Sequence, residues 1–211
     1  MFCSTTWWCT TFASESNVNR AVFLDRDGVI NQMVPTGEGP DSPRSVEEFH
    51  LFPGAAGAVR RLNQLGLPVV LVSNQPGVAK GKFPPGNLEA ITERMKADLA
   101  VEFASLDGVY YCMHHPEAVV ADYRTICECR KPKSGLLNQA AKEMDLRLDG
   151  SYMVGDQLRD MIAGKSVGCT TVFVGAQVPP HSADETDHSC TDLDAAARLI
   201  AQLEGAMSFN R

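Results

Sequence analysis

Short apolar runs alternate with longer stretches of helical spacing along most of this chain. Ala21-Val22-Phe23-Leu24 is unbroken and apolar, as a strand covered on both faces reads, and it stops at Asp25. Four more runs have this character: Leu67–Val72 ending on Ser73, Gly108–Tyr111, Ser151–Val154 ending on Gly155-Asp156, and Thr170–Val174. Between them lie helical patterns. Gly54–Leu65 puts Ala55, Ala58, Val59 and Leu62 on one face, with Gly66 as the stop. Asn87–Phe103 repeats Leu88, Ile91, Met95, Leu99 and Phe103 at helical intervals. Gly135–Met144, Leu158–Val167 and Leu193–Leu203 are the remaining helices. Residues 32–53 hold Pro35, Pro40, Pro43 and Pro53 and read as a long loop; a second loop runs from Cys112 to about Lys133. Strand–helix alternation of this kind predicts an α/β fold, a Rossmann-like three-layer sandwich with a central parallel sheet.

Composition narrows the class. The 211 residues are 44% hydrophobic and 21% charged, enough for one domain with a sizeable core. A net charge of −7 argues against nucleic acid as the partner. No apolar run approaches the roughly 18 residues of a membrane span. Residues 1–18 carry Trp7, Trp8 and Phe12 without the basic start of a secretory signal, and read as a tail ahead of a single domain over 19–211. The expected setting is the cytoplasm, and the expected state a monomer.

Candidate chemistry collects after the strands, where open α/β sheets bind ligands. Asp25-Arg26-Asp27-Gly28 offers two carboxylates that a turn aims at one space. One can attack phosphorus while the other moves the leaving-group proton. By itself the motif is also an ordinary Asp-Gly turn. Ser73-Asn74-Gln75 offers a hydroxyl and N–H groups for phosphoryl oxygens, or simply a polar strand end. Asp156 and Asp160 form a like-charged pair at a helix start, which either a magnesium ion or the helix dipole makes tolerable. Arg130-Lys131-Pro132-Lys133 is a basic loop able to grip phosphate.

Seven cysteines are present, and three cluster with a histidine. Cys112-x-His114 and Cys127-x-Cys129 are separated by twelve residues and make a full tetrahedral zinc set. Four protein ligands leave no open position, so the ion is expected to be structural, ordering the loop and placing Arg130 and Lys131 over the carboxylates.

Together, Leu24-Asp25-Arg26-Asp27-Gly28, Ser73-Asn74-Gln75, Arg130-Lys131-Pro132 and Gly155-Asp156 with Asp160 resemble the haloacid dehalogenase superfamily of phosphatases over residues 20–176. The likeness is to the branch of heptose-bisphosphate and histidinol-phosphate phosphatases, in which a zinc loop stands in place of a large cap domain. The resemblance implies that Asp25 is the nucleophile and Asp27 the acid–base. It implies magnesium held by the Asp25 carboxylate, the Asp27 carbonyl and Asp156. Ser73 and Lys131 would steady the phosphoryl group, and Asn74, Gln75 and Arg130 would contact the substrate. The implied substrate is a small phosphorylated metabolite, a sugar bisphosphate such as heptose 1,7-bisphosphate, with histidinol phosphate as the alternative. A zinc-stabilised binding module is the non-enzymatic alternative. The loop Asn31–Pro43 is longer and richer in proline than the branch's pattern and leaves the substrate as the open question.

Overall fold

The computed structural model describes residues 19–37, 39–177 and 184–209, with side chains to 205. The expected tail at 1–18 lies outside the described residues. The elements in chain order are β1 (Arg20–Leu24), β2 (Val34–Thr36), β3 (Gly39–Asp41), α1 (Ala55–Gln64), β4 (Val69–Asn74), α2 (Pro85–Val101), β5 (Gly108–Cys112), α3 (Gly135–Met144), β6 (Arg147–Gly155), α4 (Leu158–Lys165), β7 (Thr170–Val174), β8 (His188–Cys190) and α5 (Leu193–Phe209).

Six strands form one parallel sheet in the order β5-β4-β1-β6-β7-β8. The chain starts in the middle at β1, builds outward through β4 and β5, then crosses back to build β6, β7 and β8 on the other side. That reversal opens a crevice beyond the carboxyl ends of β1 and β6.

Alternation along each strand divides the core into two layers. Val22, Leu24, Leu71 and Val154 pack on one face with Leu62 of α1, Ile91, Met95 and Leu99 of α2, and Ile200 of α5. Ala21, Phe23, Val72 and Met153 pack on the other with Leu136, Leu137 and Ala140 of α3 and Ala163 of α4. Leu88, Ile91, Met95 and Leu99 of the expected stripe are the buried face of α2, but the helix stops at Val101, and Phe103, expected on the same face, lies beyond it at φ 58° and is exposed. Arg20 and Tyr152 both reach Glu204, at 2.6 and 2.7 Å, and tie α5 to the sheet.

Two expectations need correction. The stretch 32–53 is not all loop: β2 and β3 form an antiparallel hairpin in which Pro35 pairs with Pro40. Its strands lie outside the main sheet, where a missing N–H is tolerated. The three-residue edge strand β8 is also absent from the sequence reading; His188-Ser189-Cys190 carries no apolar run. Among the described residues, the hairpin and the cysteine-bearing loop are the insertions on the ligand-binding side, and neither has the size of a cap domain.

Ile91 is fully buried between α2 and the sheet. Ile91→Ala is expected to cost about 2–5 kcal/mol, lowering the urea midpoint without changing the slope of the transition.

Candidate active site

Asp25 follows β1 and Asp156 follows β6, so adjacent parallel strands deliver both carboxylates to the crevice. The backbone turns sharply after Asp27 because Gly28 takes φ 81°. A side chain at Gly28 would also collide with Asp156, since a Cβ there would lie 2.3 Å from Oδ2. Glycine is required on both counts.

Lys131 is the hub of the site. The residue is 2% exposed, and its ammonium lies 3.1 Å from Asp25 Oδ1 and 2.7 Å from Asp160 Oδ1. It also donates to the Val72 carbonyl at 2.8 Å. Burial works against its charge, but Asp160 and Asp25 together outweigh burial and hold it protonated. Asn74 fixes the lysine's backbone from β4, donating to the Lys131 carbonyl and accepting its N–H, both at 3.0 Å.

Asp160 has a local task besides. Its Oδ2 accepts the Gln157 N–H at 3.0 Å at the start of α4, where the helix dipole favours a carboxylate. The two explanations of the Asp156/Asp160 pair thus divide between its members. Asp160 turns to Lys131 and the helix start. Asp156 keeps Oδ1 buried without a hydrogen-bond partner. Asp25, Asp156 and Asp160 offer oxygens within 4.8 Å of one another. Three carboxylates against the one ammonium of Lys131 leave a formal charge of −2, the deficit a divalent cation offsets. Burial pushes the Asp156 carboxyl up to about 6, with the Asp25 and Asp160 charges adding to the rise. Hard oxygen donors, an unpaired buried oxygen and the space left by Gly28 fit a magnesium-type ion.

Asp27 is enclosed differently. Oδ1 accepts from Arg26 Nε and Nη2 at 3.1 and 3.0 Å and from Asn31 Nδ2 at 3.0 Å. Oδ2 accepts from Gln75 Nε2 and Ser42 Oγ, each at 2.7 Å. Burial alone would raise its pKa, but the Arg26 charge and these donors together hold the carboxyl below its ordinary range. Arg26 is itself fully buried and lies 5.8 Å from the Tyr111 ring centroid.

Most of the residues expected at the site converge on it. Asp25, Asp27, Ser73, Asn74, Arg130 and Asp156 line one pocket of about 160 Å³, and Lys131 sits behind Asp25. Gln75 is the exception. Expected at the substrate, it is fully buried and its amide spans Arg26, Asp27 and Ser73. A buried guanidinium beside a buried carboxylate needs such a partner, and Gln75 supplies both a donor and an acceptor. Asp41, Ser42 and Arg159 were not anticipated as pocket residues. Arg159 lies between Asp156 and Asp160, a position that could have drawn notice; Ser42 gave no signal, because only the folded hairpin brings it back to Asp27.

Cys112, His114, Cys127 and Cys129 close the loop above the site. Their donor atoms lie within 4.8 Å of one another. Sulfur–sulfur separations are 3.6, 3.2 and 3.2 Å, and His114 Nδ1 is 3.2 Å from Cys129 Sγ. A tetrahedral set at Zn–S of about 2.3 Å has edges near 3.8 Å, so these four need only a slight expansion around an ion. Arg130 Nη1 reaches back to the His114 carbonyl at 3.3 Å. Cys129, Arg130 and Lys131 are consecutive, so the cluster is joined through the basic loop to Asp25.

The haloacid dehalogenase-like hydrolase model matches residues 128–199. The D-glycero-beta-D-manno-heptose-1,7-bisphosphate 7-phosphatase of Escherichia coli K12 is 38% identical over 184 residues, covering 84% of this chain and 93% of its own length. This chain belongs to the haloacid dehalogenase-like phosphatases. The Pasteurella multocida 7-phosphatase is 35% identical over 191 residues, covering 90% of this chain and all of its own length, 100%. The D,D-heptose 1,7-bisphosphate phosphatase from B. bronchiseptica, solved with magnesium and phosphate, superposes with a TM-score of 0.70 at 34% identity, over 87% of this chain and 98% of its own. The Burkholderia thailandensis enzyme of the same description gives 0.60 at 26%, over 86% and 98%. The fold, the order of motifs and the cysteine–histidine loop all agree with membership of this family.

Replacing Lys131 leaves Asp25 and Asp160 buried beside each other without their cation. Lys131→Met is expected to destabilise the protein by about 3–5 kcal/mol, read from urea unfolding.

Proposed function

We propose that this protein hydrolyses a sugar phosphate monoester through a phosphorylated Asp25, and that the substrate is D-glycero-D-manno-heptose 1,7-bisphosphate, cut at the 7-phosphate. The observation that carries this reading is the meeting of Asp25, Asp27, Asp156 and Lys131 at one pocket. Its chemistry is that of the family, and the 7-phosphatases among its relatives support the substrate.

In the first step an Asp25 carboxylate oxygen attacks phosphorus. The bond from phosphorus to the sugar oxygen breaks, and Asp27 gives that oxygen its proton. In the second step Asp27 takes a proton from water, whose oxygen attacks the same phosphorus. The Asp25–phosphorus bond breaks, freeing the carboxylate and inorganic phosphate. The closed ring of donors favours ionised Asp27, so before the first step it must loosen a donor and take up a proton; Ser42 is the donor carried on the hairpin segment, whereas Arg26, Asn31 and Gln75 are fully buried. Lys131 neutralises charge on Asp25 as it approaches a phosphate dianion. Ser73 and the Asn74 amide hold the phosphoryl oxygens, and Arg130 meets the rest of the substrate.

Asp25 and Asp156, with the Asp27 carbonyl, hold magnesium, which screens the charge between carboxylate and phosphate. Cys112, His114, Cys127 and Cys129 hold a structural zinc. A reduced thiol set fits a reducing compartment, and the cytoplasm is the setting of this reading. Among the described residues no helix is long and apolar enough to cross a membrane.

Phosphate release from both anomers of heptose 1,7-bisphosphate, with histidinol phosphate alongside, tests the reading. Turnover of a heptose ester that is abolished in Asp25→Asn is the expected result; unchanged turnover in that variant removes Asp25 from the chemistry. Asp27→Asn is expected to lose orders of magnitude in rate while the protein still binds magnesium.

The raised carboxyl of Asp156 sets a pH dependence. Its folded pKa of about 6 lies above the ordinary 3.8, so the folded apoprotein binds the extra proton between those values. Ionising Asp156 therefore lowers apoprotein stability as pH rises through that window. Magnesium needs the ionised form, so its affinity should fall by up to about tenfold per pH unit below 6. Calorimetric titration at pH 5 and pH 7 measures the difference; equal affinities would contradict a raised Asp156 carboxyl acting as the ligand.

A further inference from the structure

Arg26 grips Asp27 with two of its three nitrogens. Nε and Nη2 donate to Asp27 Oδ1, and Nη2 also donates to Gln75 Oε1 at 3.0 Å. The third nitrogen, Nη1, is buried and has no hydrogen-bond partner among the described residues. A buried guanidinium donor without an acceptor is costly and uncommon. Tyr111 of β5 lies against this guanidinium, its ring centroid 5.8 Å from the central carbon. Burial works against the Arg26 charge, and Asp27 together with Tyr111 outweighs that cost.

Proton accounting fixes the direction of the Tyr111 hydroxyl. Thr92 of α2 has one hydroxyl proton and donates it to the Leu88 carbonyl at 2.7 Å. The 3.0 Å contact between Thr92 Oγ1 and Tyr111 Oη is therefore a bond that Tyr111 donates. With its own proton committed to Thr92, the Tyr111 oxygen can only accept from the guanidinium. Packing against the cluster of Val78, Phe83 and Leu88 holds the ring in place.

The two oxygens of Asp27 are held unequally. Oδ1 takes Nε and Nη2 of Arg26 and Nδ2 of Asn31, three donors from fully buried residues. Oδ2 takes Gln75, a longer 3.2 Å contact from Arg26 Nη2, and Ser42, which lines the catalytic pocket. We propose that Tyr111 is a positioning residue for the acid–base: its oxygen accepts Arg26 Nη1, fixes the guanidinium on Asp27 Oδ1, and so leaves Oδ2 as the oxygen that carries the proton. In the first step that proton passes from Oδ2 to the sugar oxygen as the phosphorus–oxygen bond breaks, the electron pair of that bond staying on the sugar oxygen. Thr92 acts one residue further back, by keeping Tyr111 in its accepting orientation. This rests on the phosphatase reading above and adds two residues outside the pocket that decide where the proton sits.

Tyr111→Phe keeps the ring and removes the acceptor. The test compares two esters with the full-length, magnesium-supplied protein: heptose 1,7-bisphosphate, whose sugar oxygen needs a proton to leave, and 4-nitrophenyl phosphate, whose phenolate leaves without one. In Tyr111→Phe, the first turnover and kcat for the heptose ester are expected to fall by roughly tenfold or more, with KM within about twofold. The first turnover of the aryl ester, read as a burst of 4-nitrophenolate, should stay within about twofold of the wild type. Its later steady rate should fall, because hydrolysis of phosphorylated Asp25 needs Asp27 as the base. Thr92→Val should show the same pattern in smaller degree, Thr92→Ser should behave as the wild type, and the double variant of Tyr111→Phe with Thr92→Val should lose no more than Tyr111→Phe alone. If Tyr111→Phe does not fold, Thr92→Val against Thr92→Ser decides the same question. An equal loss in the first turnover of both esters would overturn the proposal, showing disturbed packing alone. Unchanged turnover of the heptose ester would overturn it equally. If the wild type hydrolyses neither ester, the phosphatase reading fails and the positioning role falls with it; if it hydrolyses both and the variants treat them alike, the positioning role alone fails.

Discussion

The ammonium of Lys131 is buried among two carboxylates and a main-chain carbonyl, and most of the site is arranged around it. Asp25 comes from the end of β1, Asp160 from the start of α4 and the Val72 carbonyl from β4. Three elements that are distant in sequence therefore meet on one atom. A charge withdrawn from water this completely is tolerated only when its partners are in place. The loop that brings Lys131 in must consequently be held as firmly as the strands. Asn74 grips its backbone from below, and the Cys112–Cys129 cluster closes the loop from above. That arrangement gives a physical reason for a cluster able to hold a metal ion to stand directly before the Arg130-Lys131 pair.

Electrostatic division of labour follows from position. Asp25 shares the lysine, Asp156 keeps an unpartnered oxygen for a cation, and Asp160 secures the start of α4. Asp27 belongs to a separate group, with Arg26, Asn31, Gln75 and Ser42 around it. Two aspartates one residue apart in the chain thus sit in different environments. One shares a buried ammonium and the other is held ionised by a ring of donors. Only the Ser42 donor belongs to the segment that follows the hairpin, so that segment reaches the Asp27 carboxylate directly.

Much of this was legible beforehand, for identifiable reasons. Strands covered on both faces are continuous apolar runs, so β1, β4 and β7 stood out, and polar residues after β1, β4 and β6 marked the crevice. The helix Gly135–Met144 and strand Thr170–Val174 have the bounds expected from the pattern. The zinc-type set was visible because soft ligands were concentrated in eighteen residues. What escaped was set by tertiary contact. A proline-bearing hairpin violates strand propensity and forms where no sheet needs its N–H groups. β8 is a polar edge strand supported by β7. Gln75 looked like a substrate ligand by its place after Ser73, yet the need to satisfy buried Arg26 turned it inward. Ser42 and Asp41 became site residues only through folding of the segment that departs from the family pattern.

The central claim is that a metal-closed loop holds Lys131 on Asp25. Hydrogen exchange across residues 127–133, measured before and after removal of zinc by a chelator that leaves magnesium in place, tests it directly. The account predicts that the Lys131 amide, bonded to Asn74, loses protection together with its neighbours, and that phosphate release is lost in step. Unchanged protection at Lys131 in zinc-free protein, with phosphate release continuing, would contradict it.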